Sequence, residues 1–341
     1  VNTLYEGNLQ GGQPTLRYVT PGNPSQVYGL NFKLTENIDL SSDNGGMSLN
    51  RPLCSIGQGF DGIFNGNGKA LFDIKPTQSI THAGIFAKIT TFGEVKNLLI
   101  GNFNVSTGGE YAGALAGEVN NGAVITNVKT TDDAAFNPST GRTISSDKYA
   151  GGLVGYLNTG AKIIDCEMKT ITVVSLFDEY ISDVNTYIPG GAGGLVGSIG
   201  QNKNQQGARA SVENSKTENI MLNCKYASGG LVGSLVSGED TEETEVNASI
   251  KGSTATNISY DESESAAYIG GVVGYVGHRR AVYNSSLKTK NSTDMTIRSR
   301  WSQLAYTKPE EPQVFNFGGG GIAGINFGLI RDVTVTTTTS N

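Results

Sequence analysis

The sequence predicts an all-β solenoid, in which short strands stack along one axis, and two observations point to this fold class. A cassette of small and aliphatic residues recurs at intervals of 30 to 50 residues, the period of solenoids, propellers and related arrays. Its residues alternate in size with a period of two, as expected of a strand. The seven copies read AGIFA at 83–87, GALAG at 113–117, GGLVG at 151–155, 193–197 and 229–233, GGVVG at 270–274, and GGIAG at 320–324.

The amino-acid composition is that of an ordered, β-rich chain. Glycine supplies 47 of the 341 residues, and charged residues make up only 16%, against about a quarter in average domains. Leu, Ile, Val and Phe recur at ordered intervals, which argues against a disordered chain. Abundant glycine and β-branched residues disfavour helices and favour strands.

The formal net charge of −6 is spread along the chain without a basic face, so we expect no nucleic-acid partner. No apolar run reaches the length of a membrane helix, about 18 residues. The sequence begins at Val1 without a signal peptide. We therefore expect a mature or truncated chain, whose contact with a membrane would depend on an anchor that has been removed.

Within the cassette, large and small residues alternate on one predicted face, as in the series Leu153, Gly155, Leu157. The large side chains are expected to point inward, and glycine leaves room for the groups opposite. Two buried columns are predicted, namely Leu115, Leu153, Leu195, Leu231 and Val272, and Gly117, Gly155, Gly197, Gly233 and Gly274. The slot between them is expected to face outward from a half-buried strand; it holds Lys88, Glu118, Tyr156, Ser198, Ser234 and Tyr275.

A second element follows each cassette. It is a Gly- and Asn-rich turn and then an alternating run, such as AVITNV from Ala123 or AKIIDC from Ala161. The shared Asn or Asp fits a corner, where its side chain can hydrogen-bond nearby groups. The segments between repeats vary in length, as solenoid loops do. A β-propeller stays open as an alternative, although no WD-like or kelch-like signature occurs, and each repeat could form one rung of the stack or two.

These motifs resemble the GLUG-motif repeat, whose Gly-Leu-aliphatic-Gly core precedes a Gly/Asn turn and a [VI]-x-N-[SC] run. GGLVGYLNTGAKIIDC from Gly151 and AGALAGEVNNGAVITNV from Ala112 follow this pattern, and PLCSIGQGFDGIFNGNGKALFDI from Pro52 is similar to the region that precedes such repeats. The resemblance covers the chain from about residue 31 onward. It implies a right-handed parallel β-helix, secreted or displayed on a bacterial surface, as in adhesin-like proteins and beside the catalytic domain of some immunoglobulin A peptidases.

On this basis we predict an N-terminal strand and turn region over residues 1–80 and a seven-cassette solenoid over residues 81–341, together forming one continuous domain with inserted loops. The only histidines are His82 and His278, so the HExxH zinc helix of a metallopeptidase cannot form within the chain. A catalytic part, if the protein has one, would lie outside this sequence.

The candidates for chemistry have ordinary structural interpretations, and we predict no catalytic residue, metal site or cofactor. Asp132 and Asp133 come nearest to a glycosidase pair, which needs two carboxylates about 5–10 Å apart, but a solvated loop accounts for them. The acidic run 239–245 lacks the spaced ligands of a calcium loop. The three cysteines match no disulfide or zinc pattern and are interpreted as buried free thiols; they are Cys54, Cys166 and Cys224.

The longest variable segment, residues 279–317, is the predicted ligand-contacting surface. It concentrates arginine and aromatic residues, which most often dominate binding energy. The predicted binding residues are Arg279, Arg280, Arg298, Arg300, Trp301 and Tyr306. In the alternative interpretation this segment caps the apolar stack, and Trp301 covers its open end.

The predicted function is that of a secreted or cell-surface adhesin, a non-catalytic solenoid that binds a glycan or protein on a host or cell surface. A structural stalk that carries another domain is the first alternative. A carbohydrate-active enzyme built on a β-helix is the second.

Overall fold

The structure, a computed structural model, describes residues 31–40, 52–53, 59–76, 81–90, 93–120, 122–133, 141–158, 160–176, 190–200, 210–235, 248–260, 268–276, 280–283, 286–289, 318–326, 329–331 and 333–337. Within these ranges the regular elements are all β-strands, with no helix, and the pairings between them are parallel. The fold is therefore all-β and of the β-helix or solenoid type. Its strands, numbered β1 to β32 in chain order, form three sheets.

Sheet I contains the strand that opens each cassette: β5 (His82–Ala83), β9 (Tyr111–Gly113), β13 (Tyr149–Gly151), β17 (Gly191–Gly193), β21 (Ala227–Gly229), β25 (Tyr268–Gly270) and β29 (Gly318–Gly320). Sheet II contains the strand that closes it: β6 (Phe86–Ile89), β10 (Ala116–Val119), β14 (Val154–Leu157), β18 (Val196–Ile199), β22 (Val232–Leu235), β26 (Val273–Val276) and β30 (Ala323–Asn326).

Sheet III contains the remaining strands: β1 (Asn31–Lys33), β2 (Ile38–Asp39), β3 (Ile63–Asn65), β4 (Ala70–Phe72), β7 (Glu94–Ile100), β8 (Phe103–Ser106), β11 (Val124–Thr130), β12 (Arg142–Ser146), β15 (Lys162–Ile164), β16 (Glu167–Ser175), β19 (Ala210–Glu213), β20 (Lys216–Cys224), β23 (Ala248–Lys251), β24 (Thr254–Tyr260), β27 (Arg280–Tyr283), β28 (Ser286–Thr289), β31 (Leu329–Arg331) and β32 (Thr334–Thr337). Strand β1 pairs with β3 and β3 with β7, so the N-terminal strands continue this sheet.

Each repeat forms one rung of the stack. Glu118 pairs in register with Lys88 of the preceding repeat and with Tyr156 of the following one. The cassette aliphatics are joined in the same way, since the amide of Leu153 donates to the carbonyl of Leu195 at 2.9 Å. The two-rung alternative is excluded, because it would place paired residues of successive repeats too far apart for these hydrogen bonds.

The cassette aliphatics form one buried column. Their relative exposure is 0% at Leu115, Leu153, Leu195, Leu231 and Val272, whereas Ile322 of the seventh copy is only partly buried. Beside them the glycines lie against main chain. A Cβ atom on Gly155 would lie 2.6 Å from the amide nitrogen of Ala112 and 2.7 Å from the carbonyl oxygen of Gly117. Glycine is required there because backbone, which cannot move aside as a flexible side chain could, occupies the space.

The prediction of one half-buried strand per cassette is wrong. Each cassette forms two short strands with a bend between them, at Gly152 and Leu153 in the third copy. The bend folds the opening strand against the outer face of the closing strand, so the slot expected to face solvent is largely covered. Relative exposure there is 8% at Glu118, 0% at Ser198 and Ser234, and 3% at Tyr275. We call this contact the crease; its best-packed part contains His82, Lys88, Tyr111, Glu118, Tyr149 and Tyr156.

The corner predicted from the repeated Asn or Asp lies within sheet III. Asn97, Asn127, Asp165 and Asn214 occupy it in successive rungs, with φ between 50° and 55°. Among non-glycine residues, Asn and Asp adopt this left-handed conformation most readily. The Nδ2 atom of Asn127 donates to Oδ1 of Asn97 at 2.9 Å, so the side chains also join neighbouring rungs. We call this the first corner.

A second corner lies further along each rung and was not foreseen from the sequence. Thr170, Asn219 and Asn257 stack there with φ between 52° and 56°. The Nδ2 atom of Asn257 donates to Oδ1 of Asn219 at 2.9 Å, the same amide pairing as at the first corner. The long alternating runs that follow each cassette are therefore bent twice.

Directly after the first corner, the buried residues Cys166, Ser215 and Ser253 form a hydrogen-bond ladder. The amide of Cys166 donates to Oγ of Ser215, and the amide of Ser215 donates to Oγ of Ser253, each at 3.1 Å. Each hydroxyl donates in turn to the carbonyl two residues earlier in its own rung. The small polar side chain thus supplies an acceptor where the corner interrupts regular backbone pairing.

We expect Gly155→Val to lower the free energy of unfolding by at least about 1–3 kcal/mol, because the new side chain meets backbone of the neighbouring rung. The matched control is Ser145→Val on the outer face of β12, where the paired residue of the next rung is already Val174. It should stay within about 0.5 kcal/mol of the wild type. Thermal unfolding measures both, and equal melting temperatures for Gly155→Val and the wild type would contradict the column assignment.

We expect Ser215→Ala to cost about 1–3 kcal/mol, because it leaves the buried amide of Cys166 without an acceptor. Ser215→Cys should cost less, because Cys166 shows that sulfur can occupy this place and accept an amide hydrogen bond, from Val128 at 3.5 Å. Urea unfolding compares the two variants. If both were equally stable, the ladder would contribute nothing beyond side-chain volume.

Candidate ligand-binding face

The outer face of sheet III between the two corners carries a column of alternating charge. Lys129 of β11, Glu167 of β16 and Lys216 of β20 are in register in three successive rungs. Their strands position them because residues before and after each of them point into the core, as in Met168, which is fully buried. The three side chains therefore emerge on the same face, one strand spacing apart, about 4.8 Å.

The charges in this column are not paired along it. Glu167 forms its ion pair with Lys169 on its own strand, with 3.0 Å between Oε1 and Nζ, and Lys169 also lies 3.5 Å from Glu218 of the next rung. The hydrogen bond to Glu167 raises the pKa of Lys169. Among the described residues, neither Lys129 nor Lys216 has a carboxylate within ion-pair distance. Two ammonium groups on this face are thus left unpaired by the residues that the structure describes.

A depression of about 510 Å³ lies over the first corner in the same three rungs; we call it the trough. It is lined by Asn127, Lys129, Asp165, Cys166, Glu167, Asn214 and Lys216. Three of these residues belong to the corner itself and three to the charged column. The trough therefore combines carboxylate and amide oxygens, amide N–H groups and ammonium groups on backbone that is hydrogen-bonded to the rungs on both sides.

The polar groups of the trough are mostly unused by the described part of the chain. In the described ranges, the carboxylate of Asp165 and the side-chain amide of Asn214 make no hydrogen bond, and Asn127 uses only one donor, toward Asn97. Asp165 interrupts the column of corner amides, because an ionised carboxylate can only accept hydrogen bonds. The arrangement suits a ligand that brings hydroxyl donors to Asp165 and acceptors to the amides and lysines.

Cys166 forms the floor of the trough and is not a reactive group. Its side chain is almost completely buried, and burial raises the pKa of the thiol to about 12. The thiolate is the nucleophilic form of cysteine, so this residue stays inert near neutral pH. Its sulfur instead belongs to the ladder behind the first corner.

The crease contains the most buried group of charges among the described residues, centred on Glu118. Its carboxylate lies 3.2 Å from Nε2 of His82 and 3.1 Å from Nζ of Lys88, and it accepts a hydrogen bond from Asn120 at 2.9 Å. The ring of Tyr111 packs edge-on against His82, with 4.6 Å between ring centroids. Burial and the charge of Glu110 raise the pKa of the Tyr111 hydroxyl, so it stays neutral.

The network around Glu118 is structural. Burial opposes ionisation of this carboxyl group, but the hydrogen bonds and charges of His82 and Lys88 outweigh it and lower the pKa to about 2. Such a group is ionised at any physiological pH and cannot act as a general acid, which needs a pKa near the working pH. It joins β5, β6 and β10 across the two sheets of the crease.

The structure does not describe the side chains of the binding residues that were predicted from the sequence. Arg279, Arg298, Arg300, Trp301 and Tyr306 lie outside the described residues, and Arg280 begins β27 without a described side chain. The trough was missed by sequence reasoning. A signal for it exists, because aligning the repeats on the corner Asn or Asp places Lys129, Glu167 and Lys216 at the same offset, two residues later.

The aspartates and cysteines that the sequence offered as candidates for chemistry take part in structural contacts where they are described. Asp132, with 65% of its side chain exposed, pairs with the buried Arg142, which also donates to three backbone carbonyls near the second corner. Cys166 and Cys224 are buried free thiols, as predicted, and Cys54 lies outside the described ranges. No group of three metal-ligating side chains occurs in the described part of the chain. Nor does that part contain a helix long and apolar enough to cross a membrane.

No family model matches this chain, and no curated protein matches it. Among solved structures it is similar to the crystal structure, at 1.30 Å resolution, of a putative immunoglobulin A1 protease from Bacteroides ovatus. The TM-score is 0.57 with 19% sequence identity, over 87% of this chain and 78% of the other. At that identity the likeness concerns the fold alone, and it agrees with an all-β solenoid.

We expect Glu118 to make the stability of the protein depend on pH in the acid range. Because its pKa falls from 4.5 in the unfolded chain to about 2 in the folded one, its contribution is complete above pH 4.5 and is lost as the pH drops toward 2. Glu118→Gln should cost roughly 2–3 kcal/mol at pH 7 and much less at pH 2–3. The half-exposed Glu94, paired with Lys96, provides the control Glu94→Gln. A pH-independent difference between Glu118→Gln and the wild type would contradict this assignment.

Proposed function

We propose that this chain is a non-catalytic, ligand-binding β-solenoid, secreted or displayed on a bacterial surface in the manner of an adhesin. Its fold would be the right-handed parallel β-helix that the GLUG-like sequence pattern implies. The observation that carries the proposal is the trough, where Lys129, Asp165, Asn214 and Lys216 offer polar groups that no other described residue uses.

The scaffold beneath the trough favours binding. Backbone hydrogen bonds link each rung to the next on both sides, and the amide pairs and the Ser/Cys ladder fix the first corner from within. A ligand that docks there orders few main-chain groups, so less binding energy is lost to conformational entropy. Sites built on strands also hold their geometry better than sites on loops.

The carboxylates of the trough fit binding better than hydrolysis. A glycosidase needs one carboxylic acid whose pKa is raised, commonly by an apolar environment. Asp165 is exposed, and Glu167 is held in an ion pair with Lys169. Neither carboxyl group therefore lies in the apolar environment that such an acid needs, and both can accept hydrogen bonds from a ligand.

The name of the Bacteroides ovatus neighbour favours a second candidate. In it the solenoid is a stalk or accessory region of a peptidase whose catalytic part lies outside this sequence. The two candidates differ in what the isolated chain does. An accessory region would bind immunoglobulin A1 without cleaving it, whereas an adhesin-like solenoid would bind a surface glycan or another surface protein.

We expect the purified chain to bind at least one ligand class saturably on an array of glycans, mucins and host surface proteins that includes immunoglobulin A1. A Lys129→Ala, Lys216→Ala double variant should lose most of that binding at an unchanged melting temperature. The insert hypothesis is tested in parallel by a Trp301→Ala, Arg300→Ala double variant. Absence of any saturable binding would contradict the proposed function. If only the Trp301→Ala, Arg300→Ala variant lost binding, the binding site would be assigned to residues 279–317 and not to the trough.

A further inference from the structure

We propose that the trough recognises an extended acidic polysaccharide in which a uronic acid alternates with a neutral sugar. This inference rests on the proposed function, since it names the ligand class of the same site.

Among the described residues, the unpaired cations of the trough outnumber its unpaired carboxylates. Lys129 and Lys216 are the lining cations, and in the described ranges neither forms an ion pair, whereas Glu167 forms one with Lys169 and keeps its negative charge. Asp165 contributes one exposed negative charge. An acidic ligand can therefore gain two charge-assisted hydrogen bonds, which are stronger than neutral ones. Asp165 and the amides of Asn127 and Asn214 are left for sugar hydroxyl groups.

The distance between the two lysines limits which sugars of a ligand can carry the acid groups. Lys129 and Lys216 are separated by two rungs, roughly 9–10 Å along the stack, because adjacent parallel strands lie about 4.8 Å apart. A pyranose ring in an extended polysaccharide spans about one strand spacing. Two lysines two rungs apart therefore match acid groups on every second sugar, and the sugar between them lies over the middle rung.

The rung between the two lysines carries a negative charge. Glu167 lies directly between the two lysines in register, with 27% of its side chain exposed. A carboxylate on the middle sugar would meet this like charge, which is destabilising. A neutral sugar there avoids the repulsion and can donate hydroxyl or amide hydrogens to the glutamate. The column of lysine, glutamate and lysine thus selects a ligand in which an acidic sugar, a neutral sugar and an acidic sugar follow one another.

The lining of the trough favours a saccharide over an acidic peptide. Apart from the thiol of Cys166 on the floor, every lining side chain is charged or an amide, so no apolar surface is available for peptide side chains. The backbone of β11, β16 and β20 is paired on both sides within sheet III, so no strand edge is free to add a peptide strand. A hydroxyl-rich chain with spaced carboxylates fits these groups best.

The experiment compares three oligosaccharides of equal length by calorimetry at low ionic strength. Hyaluronan carries an acid on every second sugar, oligogalacturonate on every sugar, and chitin oligosaccharide on none. We expect hyaluronan to bind most tightly of the three. Lys129→Gln and Lys216→Gln should each lower the affinity for hyaluronan about three- to tenfold. Added salt should weaken hyaluronan binding by the wild type more than by either variant, because salt screens the lysine–carboxylate contact that the variant no longer has.

Two variants make the test specific. Lys162→Gln removes an exposed lysine of β15 that does not line the trough, and it should leave hyaluronan binding unchanged. Glu167→Gln should narrow the difference in affinity between oligogalacturonate and hyaluronan, because it removes the negative charge that repels an acidic sugar at the middle rung. Lys169 keeps its contact with Glu218 in that variant.

The proposal would be overturned by equal binding of the three oligosaccharides, by equal losses in Lys162→Gln and Lys216→Gln, or by a glutamate-rich peptide that binds as well as hyaluronan. Those outcomes leave the general ligand-binding function intact if the array detects another ligand. Failure of every array ligand would instead remove the proposed function itself.

Discussion

The close approach of main chain to main chain at the cassette is the constraint on which the rest of the structure depends. A Cβ atom on Gly151 would lie 1.9 Å from the carbonyl oxygen of Val154, so the bend can close only where a side chain is absent. The closed bend folds sheet I against sheet II and creates the crease. It also holds successive rungs in one fixed register, which brings Lys129, Glu167 and Lys216, far apart in sequence, into one column.

The periodic features of the fold could be predicted from the sequence, because each of them requires a particular residue type that recurs at the same place in successive repeats. Glycine at a fixed place beside leucine marks the close approach, and Asn or Asp after an aliphatic residue marks the first corner. The second corner escaped prediction because Thr170 and Asn219 stand in a chain that is rich in Thr and Asn throughout. Their backbone conformation, not their identity, distinguishes them.

The crease and the trough depend on contacts that a single repeat does not contain. Glu118 and Tyr156 look like solvent-facing residues of an alternating strand, and they are covered only because the preceding strand folds back over them. The trough requires the register between rungs, which variable loops hide from the linear sequence. The 279–317 segment was predicted to bind a ligand because it is rich in arginine and aromatic residues, and this role stays a prediction.

The Ser/Cys ladder gives the solenoid a polarity. The amide of Val128 finds its acceptor in Cys166, the amide of Cys166 in Ser215, and the amide of Ser215 in Ser253, always one rung toward the C-terminus. Because synthesis proceeds from the N-terminus, each new rung supplies the acceptor for the corner amide of the rung made just before it. Until the next rung is made, the newest rung therefore ends in a corner amide that lacks this acceptor.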